Sequence, residues 1–241
     1  YGHTFARIGN ISGNNITYGP EFSFPVSTWA FYSSATHMEK IDDSRILIAF
    51  KKSNRVASVV VASVSGNNIS FGAHVESSAG ALTTDMNSLT LTMLDNQSFA
   101  FGVYGQYNKN FYLHYGTISG TTISLYPHNN VSSTHRTSMD QIDSERVLII
   151  YDNPSTKRPY VRIAEKNGTS MSFGSQSMLS NHQTNFCKIA YMGNNRFVAV
   201  VRDLTDGDKG KAFLGTISNM TASLDATYSF CNQPIDEATV T

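Results

Sequence analysis

Apolar residues along the chain form short runs of two kinds. In the first kind the apolar side chains follow one another without alternation, as in "RILIAF" at 45–50, "RVLIIY" at 146–151 and "RFVAVV" at 196–201. A strand of this kind is covered on both of its faces. The second kind alternates apolar and polar residues, as in "NISFGAHVE" at 68–76, which is typical of a partly exposed strand. The pattern therefore predicts an all-β protein with buried inner strands and alternating outer strands.

Two short motifs recur along the chain with one period of about fifty residues. The first is a turn rich in Gly and Asn, which occurs as "SGNNITYG" at 12–19 and "SGNNISFG" at 65–72, and in weaker forms at 119–126, 166–174 and 217–225. Gly and Asn accept positive φ at low cost, so this turn predicts a β-hairpin. The second motif, seen as "IDDSRILIAF" and "IDSERVLIIY", occurs at 41–50, 94–103, 142–151 and 192–201. Two motifs with the same period indicate an internal repeat.

Each repeat consists of four predicted strands, a unit of the size found in β-propeller blades. We expect four complete units within a single domain of residues 1–241, at about 33–76, 86–131, 134–178 and 184–230. Residues 1–24 predict a further hairpin, and residues 236–241 match the start of a first strand. The sequence therefore predicts a five-bladed β-propeller of four-stranded antiparallel blades, closed by N-terminal and C-terminal strands that pair in one blade. This fifth blade lacks part of its strands, so it is either incomplete or continued in a longer chain.

The "SGNNISFG" and "IDSxRxLIxY" patterns resemble the repeat of a family of β-propeller proteins found among secreted and surface proteins, over essentially the whole chain. The expected number and size of the blades are also similar to those of five-bladed lectins of the tachylectin-2 type. This second resemblance concerns the architecture, and no sugar-site motif of those lectins is carried over to residues of this chain. The resemblance therefore implies a fold more than a function.

Composition narrows the range of partners. The chain has 18 basic and 18 acidic residues, and a formal net charge of zero argues against nucleic acid or a membrane surface held by bulk charge. No apolar run approaches the roughly 18 residues needed to span a bilayer, so we expect no membrane insertion. Seven acceptor triplets for N-glycosylation favour a secreted glycoprotein, although Asn is also a common turn residue. They begin at Asn10, Asn15, Asn68, Asn96, Asn130, Asn167 and Asn219.

The two cysteines, Cys187 and Cys231, form no Cys-x-x-Cys motif, which excludes a zinc ribbon or a thioredoxin-type site. Cys187 falls on the predicted first strand of the fourth complete unit, and Cys231 falls at the end of its outer strand. Three strand spacings of about 4.8 Å separate such strands, which exceeds the limit of about 7 Å on the Cα separation in a disulfide. We expect two free thiols, although the crossover after Cys231 leaves a bridge open.

The passages between units carry residue types that bind sugars. Aromatic faces stack on the C–H groups of a sugar, while amides, carboxylates, imidazoles and guanidinium groups bond its hydroxyls. The predicted ligand-binding residues are Trp29, Tyr32, Ser34, Asp85, Asn87, His135, Arg136, His182 and Asn185. One repeat position is polar in all four complete units, which predicts repeated shallow sites between blades; it holds Ser34, Asn87, His135 and Asn185. Packing between blades is an equal alternative for Trp29.

Acidic residues in the predicted turns have structural interpretations. Asp42, Asp95 and Asp143 share the turn after the first strand, where Asp caps a turn by accepting backbone amides. The loop "DLTDGDKGK" at 203–211 contains three aspartates, but it lacks the length and the distal Glu of a calcium-binding loop. We therefore predict a solvated hairpin loop and no metal site.

Catalysis has one candidate arrangement. No known catalytic signature is present, and we expect no cofactor. Glu39 and Asp140 share a position on the first strand, which lines the channel of a propeller, and Asp85 would be a third acid. A glycosidase needs two carboxylates roughly 5–10 Å apart across its sugar. A hydrated pair at the channel mouth is the preferred interpretation, because the repeat is not broken around one site.

The sequence thus predicts a secreted lectin that binds a carbohydrate or glycoconjugate at shallow sites between blades, without catalysis. A structural or adhesive module that binds protein is the alternative, and a polysaccharide hydrolase that uses the channel carboxylates is third. The identity of the sugar and the oligomeric state stay open.

Overall fold

The computed structural model describes residues 5–24, 36–52, 56–81, 89–105, 110–133, 136–236 and 240. Every regular element within these ranges is a β-strand, and every strand pair is antiparallel. The predicted all-β class is therefore confirmed. The same ranges hold no helix of the length and hydropathy that a membrane span requires.

The N-terminal segment forms a hairpin of four short strands. β2 pairs with β3 across the predicted turn, and β1 pairs with β4. Gly13 in this turn has a φ of 58°, which is the left-handed conformation that the "SGNN" motif predicts. The strands are β1 (Phe5–Ala6), β2 (Gly9–Ser12), β3 (Asn15–Tyr18) and β4 (Phe22–Ser23).

Four larger sheets follow the hairpin, and each orders its first four strands as they occur along the chain. The first sheet contains β5 (Thr36–Lys40), β6 (Arg45–Lys51), β7 (Val56–Ser65), β8 (Asn68–Phe71) and β9 (Val75–Ala81). The second contains β10 (Leu89–Met93), β11 (Ser98–Gly105), β12 (Asn110–Ser119), β13 (Thr122–Leu125) and β14 (Asn129–Ser133). The third contains β15 (Thr137–Gln141), β16 (Arg146–Asp152), β17 (Pro159–Asn167), β18 (Ser170–Phe173) and β19 (Ser177–Met178). The fourth contains β20 (Thr184–Gly193), β21 (Arg196–Asp203), β22 (Lys209–Ser218) and β23 (Thr221–Pro234).

The outer strand of the first unit differs from its prediction. The alternating stretch at 68–76 predicts one strand, but the structure divides this region into β8 and β9, which both pair with β7. The chain leaves the ladder after Phe71, where Gly72 passes against the backbone of Thr121 in the second sheet. The close approach of the neighbouring sheet thus interrupts the strand. The fourth sheet keeps one continuous outer strand, β23.

The second strand of each sheet is buried on both faces, as its uninterrupted apolar run predicts. In β6 the consecutive residues Leu47, Ile48, Ala49 and Phe50 are all buried. Successive residues point to opposite faces, so both faces of the strand must be covered. Apolar layers between sheets one and two, two and three, and three and four provide much of this cover. The other face of the first sheet, with Ile48 and Phe50, packs against Phe24. Each fully buried Leu or Phe in these layers contributes roughly 1.5–3 kcal/mol.

The first strands of the four sheets lie side by side in chain order, β5 against β10, β10 against β15, and β15 against β20. Polar contacts cross these junctions. His37 Nδ1 accepts the N–H of Leu91 at 3.2 Å, and Asp140 Oδ2 accepts the N–H of Tyr191 at 2.6 Å. The sheets therefore stand next to one another with their first strands on the same side, as blades do around an axis.

The aspartates of the turn after the first strand act as predicted. Asp42, Asp95 and Asp143 each accept a backbone N–H two residues further along the chain. Hydrogen bonds from Arg45 and from the Ser44 amide hold the pKa of Asp42 at about 2. The prediction of a turn-capping role is confirmed.

Two of these aspartates also aim an arginine at the next sheet. Asp42 binds the guanidinium of Arg45, and Asp143 binds that of Arg146. Arg45 Nη1 donates to Gly120 O at 2.7 Å, and Arg146 Nη1 donates to Asn219 O at 3.0 Å. Both acceptors lie in the hairpin turn between the third and fourth strands of the following sheet. The hairpin turn therefore joins two strands and also holds two sheets together.

The N-terminal hairpin packs on the first sheet in the same way as each larger sheet packs on the sheet that follows it in the chain. Gly72 and Gly174 lie against the backbones of Thr121 and Met220, in the hairpin turn of the following sheet. Gly19 occupies the same place in the hairpin, and a methyl group there would lie 3.6 Å from the carbonyl oxygen of Asn67 in the first sheet. The hairpin thus precedes the first sheet in the stack.

The C-terminal half of the predicted closing blade lies mostly outside the described residues. Ile235 donates its N–H to Asp208 O, and the described residues 235, 236 and 240 form no strand. Closure of the ring and the unit boundaries therefore stay predictions.

Both cysteines are free thiols, as the predicted strand placement implies. Cys187 lies on β20 and Cys231 lies on β23, with β21 and β22 between them. Burial raises the pKa of the Cys187 thiol, which keeps it protonated.

The glycine contact gives a test of how sheets pack. A Cβ atom on Gly174 would overlap the carbonyl oxygen of Met220, which belongs to the backbone of the fourth sheet. We expect Gly174→Ala to lower the free energy of unfolding by about 1–3 kcal/mol in urea denaturation, because backbone must shift to admit the methyl group. Gly19→Ala is the matched control, since its methyl group meets ordinary contacts. Equal stability of the two variants would contradict this packing.

A buried histidine gives a test of pH dependence. His114 on β12 is 0% exposed, and its Nδ1 lies 2.8 Å from Tyr126 O while its Nε2 lies 2.8 Å from Ser77 Oγ of the first sheet. A carbonyl only accepts, so Nδ1 carries the proton and Nε2 accepts from the hydroxyl. Burial lowers the pKa of His114 to about 4, from an ordinary value of 6.5. The imidazole is therefore neutral in the folded protein at pH 6.

We expect the protein to lose about 3 kcal/mol of stability from this group as the pH falls from 6.5 to 4. In that window the unfolded chain binds the proton and the folded protein does not, so stability is full above pH 6.5. Urea denaturation at several pH values measures the slope. His114→Asn should flatten the slope whatever its stability at pH 7.5, and an unchanged slope would show that another group dominates acid unfolding.

Candidate functional site

Three of the nine predicted ligand-binding residues can be placed. Arg136, His182 and Asn185 lie at the junction of the third and fourth sheets. The other six lie outside the described residues: Trp29, Tyr32, Ser34, Asp85, Asn87 and His135.

Arg136 and Asn185 line a cleft of about 220 Å³ between the third and fourth sheets, at the ends of their inner strands. Arg136 precedes β15 and Asn185 lies near the start of β20, so one comes from each sheet. The cleft is lined by Arg136, Asp152, Pro154, Lys157, Thr184, Asn185 and Leu204. It therefore combines two cationic side chains, polar groups and two apolar side chains in one concave surface.

The backbone around Arg136 is fixed by the end of β16. Arg136 N–H donates to Asp152 Oδ1 at 2.7 Å, and Asp152 N–H donates back to Arg136 O at 3.3 Å. Asp152 is only 2% exposed, so its carboxylate lies within the wall of the cleft and is shielded from solvent. The guanidinium carbon of Arg136 lies 4.6 Å from the centre of the Phe186 ring. This stacking leaves the edge of the guanidinium to donate hydrogen bonds.

Lys157 is held at the mouth of the cleft by the loop between β16 and β17. The Asn153 side chain accepts the N–H groups of Ser155 and Thr156, and Lys157 N–H donates to Asn153 O at 2.7 Å. Lys157 has a φ of 55°, and its carbonyl accepts the N–H of Thr184 at 2.7 Å. The loop of one sheet is thereby tied to the first strand of the next. The Lys157 side chain is exposed, and no contact to it is found within the described part of the chain.

Asn185 has a local role in addition to its place in the cleft. Its Oδ1 accepts the N–H of Phe186 at 3.2 Å, and Phe186 has a φ of 52°. A β-bulge interrupts the pairing of β20 with β21 at this point. Asn185 thus supports the conformation that places the Phe186 ring under Arg136, and its amide nitrogen remains available to a ligand.

His182 does not line the cleft and instead contacts Asp203, at the end of β21. Its Nδ1 lies 2.7 Å from Asp203 Oδ2, and Asp203 is 2% exposed. Asp203 Oδ1 accepts the N–H groups of Thr205 and Asp206. The prediction groups His182 with Arg136 and Asn185 because all three lie in passages between units. In the structure Arg136 and Asn185 line the cleft, and His182 contacts Asp203.

The aspartates of the 203–211 loop are neutralised by neighbouring cations. Hydrogen bonds from Lys211 and Lys209 lower the pKa of Asp206 to about 2, and Arg202 binds Asp208 at 3.0 Å. Within the described ranges no three His, Cys, Asp or Glu side chains are grouped as metal ligands. These contacts favour the interpretation of a salt-bridged hairpin loop.

The two channel acids have different surroundings. Both oxygens of Asp140 accept backbone amides, from Gln141 at 2.8 Å and from Tyr191 at 2.6 Å. Glu39 is partly exposed and lies 3.3 Å from His37 Nε2. Asp140 thus holds the first strands of two sheets together.

The sequence did not predict five residues of the cleft, namely Asp152, Pro154, Lys157, Thr184 and Leu204. The signal for Lys157 was the Asn-Pro-Ser-Thr-Lys-Arg-Pro segment at 153–159, since Asn-Pro and Ser in succession indicate a tight, ordered turn. Nothing in that segment shows that the neighbouring sheet lies against it.

Several solved structures share the fold of this chain. The Aleuria aurantia lectin, a mutant in complex with Fucα1-6GlcNAc, has a TM-score of 0.56 and 12% identity, covering 92% of this chain and 71% of the lectin chain. A mutant of AofleA from Arthrobotrys oligospora has a TM-score of 0.55 and 9% identity, covering 94% and 64%. The exo-β-1,3-galactanase of Phanerochaete chrysosporium, with β-1,3-galactotriose, has a TM-score of 0.52 and 10% identity, covering 85% and 52%.

These likenesses show the fold alone, which is that of the β-propeller proteins. The chain spans about half of the galactanase chain and about two thirds of the AofleA chain. No protein-family model matches the chain, and no curated protein is similar to it in sequence.

Proposed function

We propose that the protein is a glycan-binding β-propeller whose site is the cleft between the third and fourth sheets. The observation that carries the proposal is the meeting of Arg136 and Asn185, predicted from sequence, with Lys157 and Thr184 in one cleft. These groups supply hydrogen bonds to sugar hydroxyls, and Pro154 and Leu204 supply an apolar surface for C–H groups.

The charges of the cleft favour a glycan that carries a carboxylate or sulfate. Arg136 stacks on Phe186, and none of the ion pairs found among the described residues includes its guanidinium. Lys157 adds a second cation, while the buried Asp152 carboxylate is engaged by the Arg136 amide. The carboxylate or sulfate of an acidic sugar would accept two hydrogen bonds from the Arg136 guanidinium and would lie near the Lys157 ammonium group.

The fold gives independent support of a general kind. The Aleuria aurantia lectin mutant is in complex with Fucα1-6GlcNAc, and its fold is similar to that of this chain at 12% identity. A similar fold does not by itself establish a function, so the proposal rests on the chemistry of the cleft.

The complete molecule is proposed to be five-bladed, of the tachylectin-2 type, with the N-terminal hairpin in the fifth blade. Shallow sites would then recur at the other junctions, where Ser34, Asn87 and His135 stand at the position of Asn185. Single sites of this kind would bind weakly, with a dissociation constant of about 1 mM, which is about 4 kcal/mol. Several sites that engage one branched glycan would provide useful avidity.

The cleft is tested by removing its two cations without disturbing its backbone. Arg136→Gln keeps a side chain of similar length, and Lys157→Asn suits the positive φ at this position. We expect the double variant to bind acidic glycans at least tenfold more weakly, because a hydrogen bond to a charged group contributes about 1.5–3 kcal/mol. An array of neutral, carboxylated and sulfated glycans, followed by calorimetry on the best ligand, measures this.

The matched control is Arg7→Gln with Lys40→Asn, which removes the same charges from two exposed ion pairs far along the chain. It should bind as the unchanged protein does. Binding of neutral glycans alone, unaffected by the cleft variant, would place the site elsewhere. A blank array would favour the adhesive module, and release of sugar that Glu39→Gln abolishes would favour the hydrolase.

Secretion and N-glycosylation are also proposed. All seven acceptor asparagines are exposed, so their side chains are accessible to glycan attachment. We expect expression in a eukaryotic secretory host to add mass that an N-glycan-releasing amidase removes, with Asn converted to Asp at the occupied sites. Intact-mass and peptide mass spectrometry measure this, and a secreted protein with no occupied site would contradict the proposal.

A further inference from the structure

The first strand of the fourth sheet is irregular at the point where it reaches the cleft. In the pairing of β20 with β21, the two residues Phe186 and Cys187 stand opposite one residue, Val201. In the third sheet the pairing of β15 with β16 runs over Thr137–Gln141 without such a shift. The extra residue in β20 forms a β-bulge, a feature that redirects side chains and is common beside binding sites.

The bulge holds Phe186 in a backbone conformation that is costly for any residue with a Cβ atom. Its φ of 52° lies in the left-handed region, where the Cβ atom crowds the backbone and bulky residues are rare. The Asn185 side chain accepts the Phe186 N–H at 3.2 Å and thereby supports this conformation. Strain of this kind persists only where the surrounding structure enforces it, and it is concentrated at functional sites.

The strained backbone gives the Phe186 ring a direction that a regular strand would not. Side chains alternate between the two faces of a strand, so Phe186 would lie on the face opposite to that of Cys187 and Ile189. Cys187 and Ile189 belong to the apolar layer between the third and fourth sheets. The centre of the Phe186 ring nevertheless lies 4.6 Å from the guanidinium carbon of Arg136, a residue of the third sheet. The bulge thus brings the ring to a side chain of the neighbouring sheet.

We propose that Phe186 is a positioning residue of the glycan site, an inference that rests on the proposed function of the cleft. Phe186 is not one of the described residues that line the cleft, so it acts through Arg136. A guanidinium held against an aromatic face keeps the donors on its edge free for a carboxylate or a sulfate. Because Arg136 is already ordered in the free protein, less side-chain freedom is lost when an acidic glycan binds.

The order of the Arg136 side chain can be measured without a ligand, by NMR relaxation of its Nε–H group. We expect this group to be ordered in the unchanged protein and in Phe186→Tyr, which keeps the ring, and to be mobile in Phe186→Leu, which removes it. The Nε–H group of Arg45 is the internal control, since it donates to Asp42 and should stay ordered in all three proteins. Equal order of Arg136 in all three proteins would overturn the positioning role.

The strain is measured by comparing two variants that both lack the ring. Phe186→Gly adopts a positive φ freely, whereas Phe186→Ala keeps the Cβ atom that crowds the backbone. We therefore expect Phe186→Gly to have the higher melting temperature, although Gly is ordinarily the less stable of the two in a strand. A higher melting temperature for Phe186→Ala would contradict the strained conformation on which the inference depends.

The effect on binding is measured with two immobilised probes, a glucuronic acid oligosaccharide and a sulfated galactose oligosaccharide. Phe186→Leu should weaken binding to the preferred probe about three- to tenfold, which is the cost of ordering one long side chain on binding. Phe186→Tyr should bind as the unchanged protein does. In the Arg136→Gln background, Phe186→Leu should cause no further loss, because its effect passes through Arg136.

The outcomes separate this inference from the proposed function. Binding of a probe that Phe186→Leu leaves unchanged, or weakens equally in the Arg136→Gln background, would overturn the positioning role and leave the glycan site in place. An ordered Arg136 in a protein that binds neither probe would overturn the glycan site itself, and with it the role of Phe186 there.

Discussion

The packing of each sheet against the next is the constraint on which the rest of this structure depends. The second strands are apolar on both faces, so a single sheet cannot bury them and a neighbour is needed on each side. The junctions add polar contacts at fixed places. Arg45 and Arg146 each bind a carbonyl in the hairpin turn of the following sheet, and Gly174 allows backbone to approach backbone. The spacing of the sheets is therefore set by both apolar layers and backbone contacts.

The same constraint explains where a ligand site can form. Between the third and fourth sheets the middle of the junction is filled by apolar side chains. Beyond the ends of the strands the loops diverge, and there the third and fourth sheets are joined by the hydrogen bond from Thr184 to Lys157. The cleft lined by Arg136 and Asn185 lies beside this hydrogen bond, between the loops of the two sheets. The backbone around the cleft is thus held in place by contacts between two sheets.

Within the described residues, the N-terminal hairpin and the fourth sheet each have a neighbouring sheet on one side, and they carry most of the large exposed apolar side chains. The N-terminal hairpin exposes Ile11 and Tyr18, and the outer strand of the fourth sheet exposes Tyr228 and Phe230. Such faces are typical of interaction surfaces, because monomeric proteins rarely leave them open to water. The ends of the stack therefore differ in kind from the cleft: they are apolar and flat, whereas the cleft is concave and cationic.

Local patterns in the sequence determined the all-β class, the order of strands within each sheet, the hairpin turns and the burial of the second strands. These features depend on neighbouring residues, through alternation, apolar runs and the tolerance of Gly and Asn for positive φ. The tertiary structure alone decided that Lys157 joins Asn185 in one cleft while His182 turns to Asp203. It also decided that Asp140 binds the amide of Tyr191. Such contacts join residues of different sheets, and they depend on how two sheets pack, which no short pattern along the chain records.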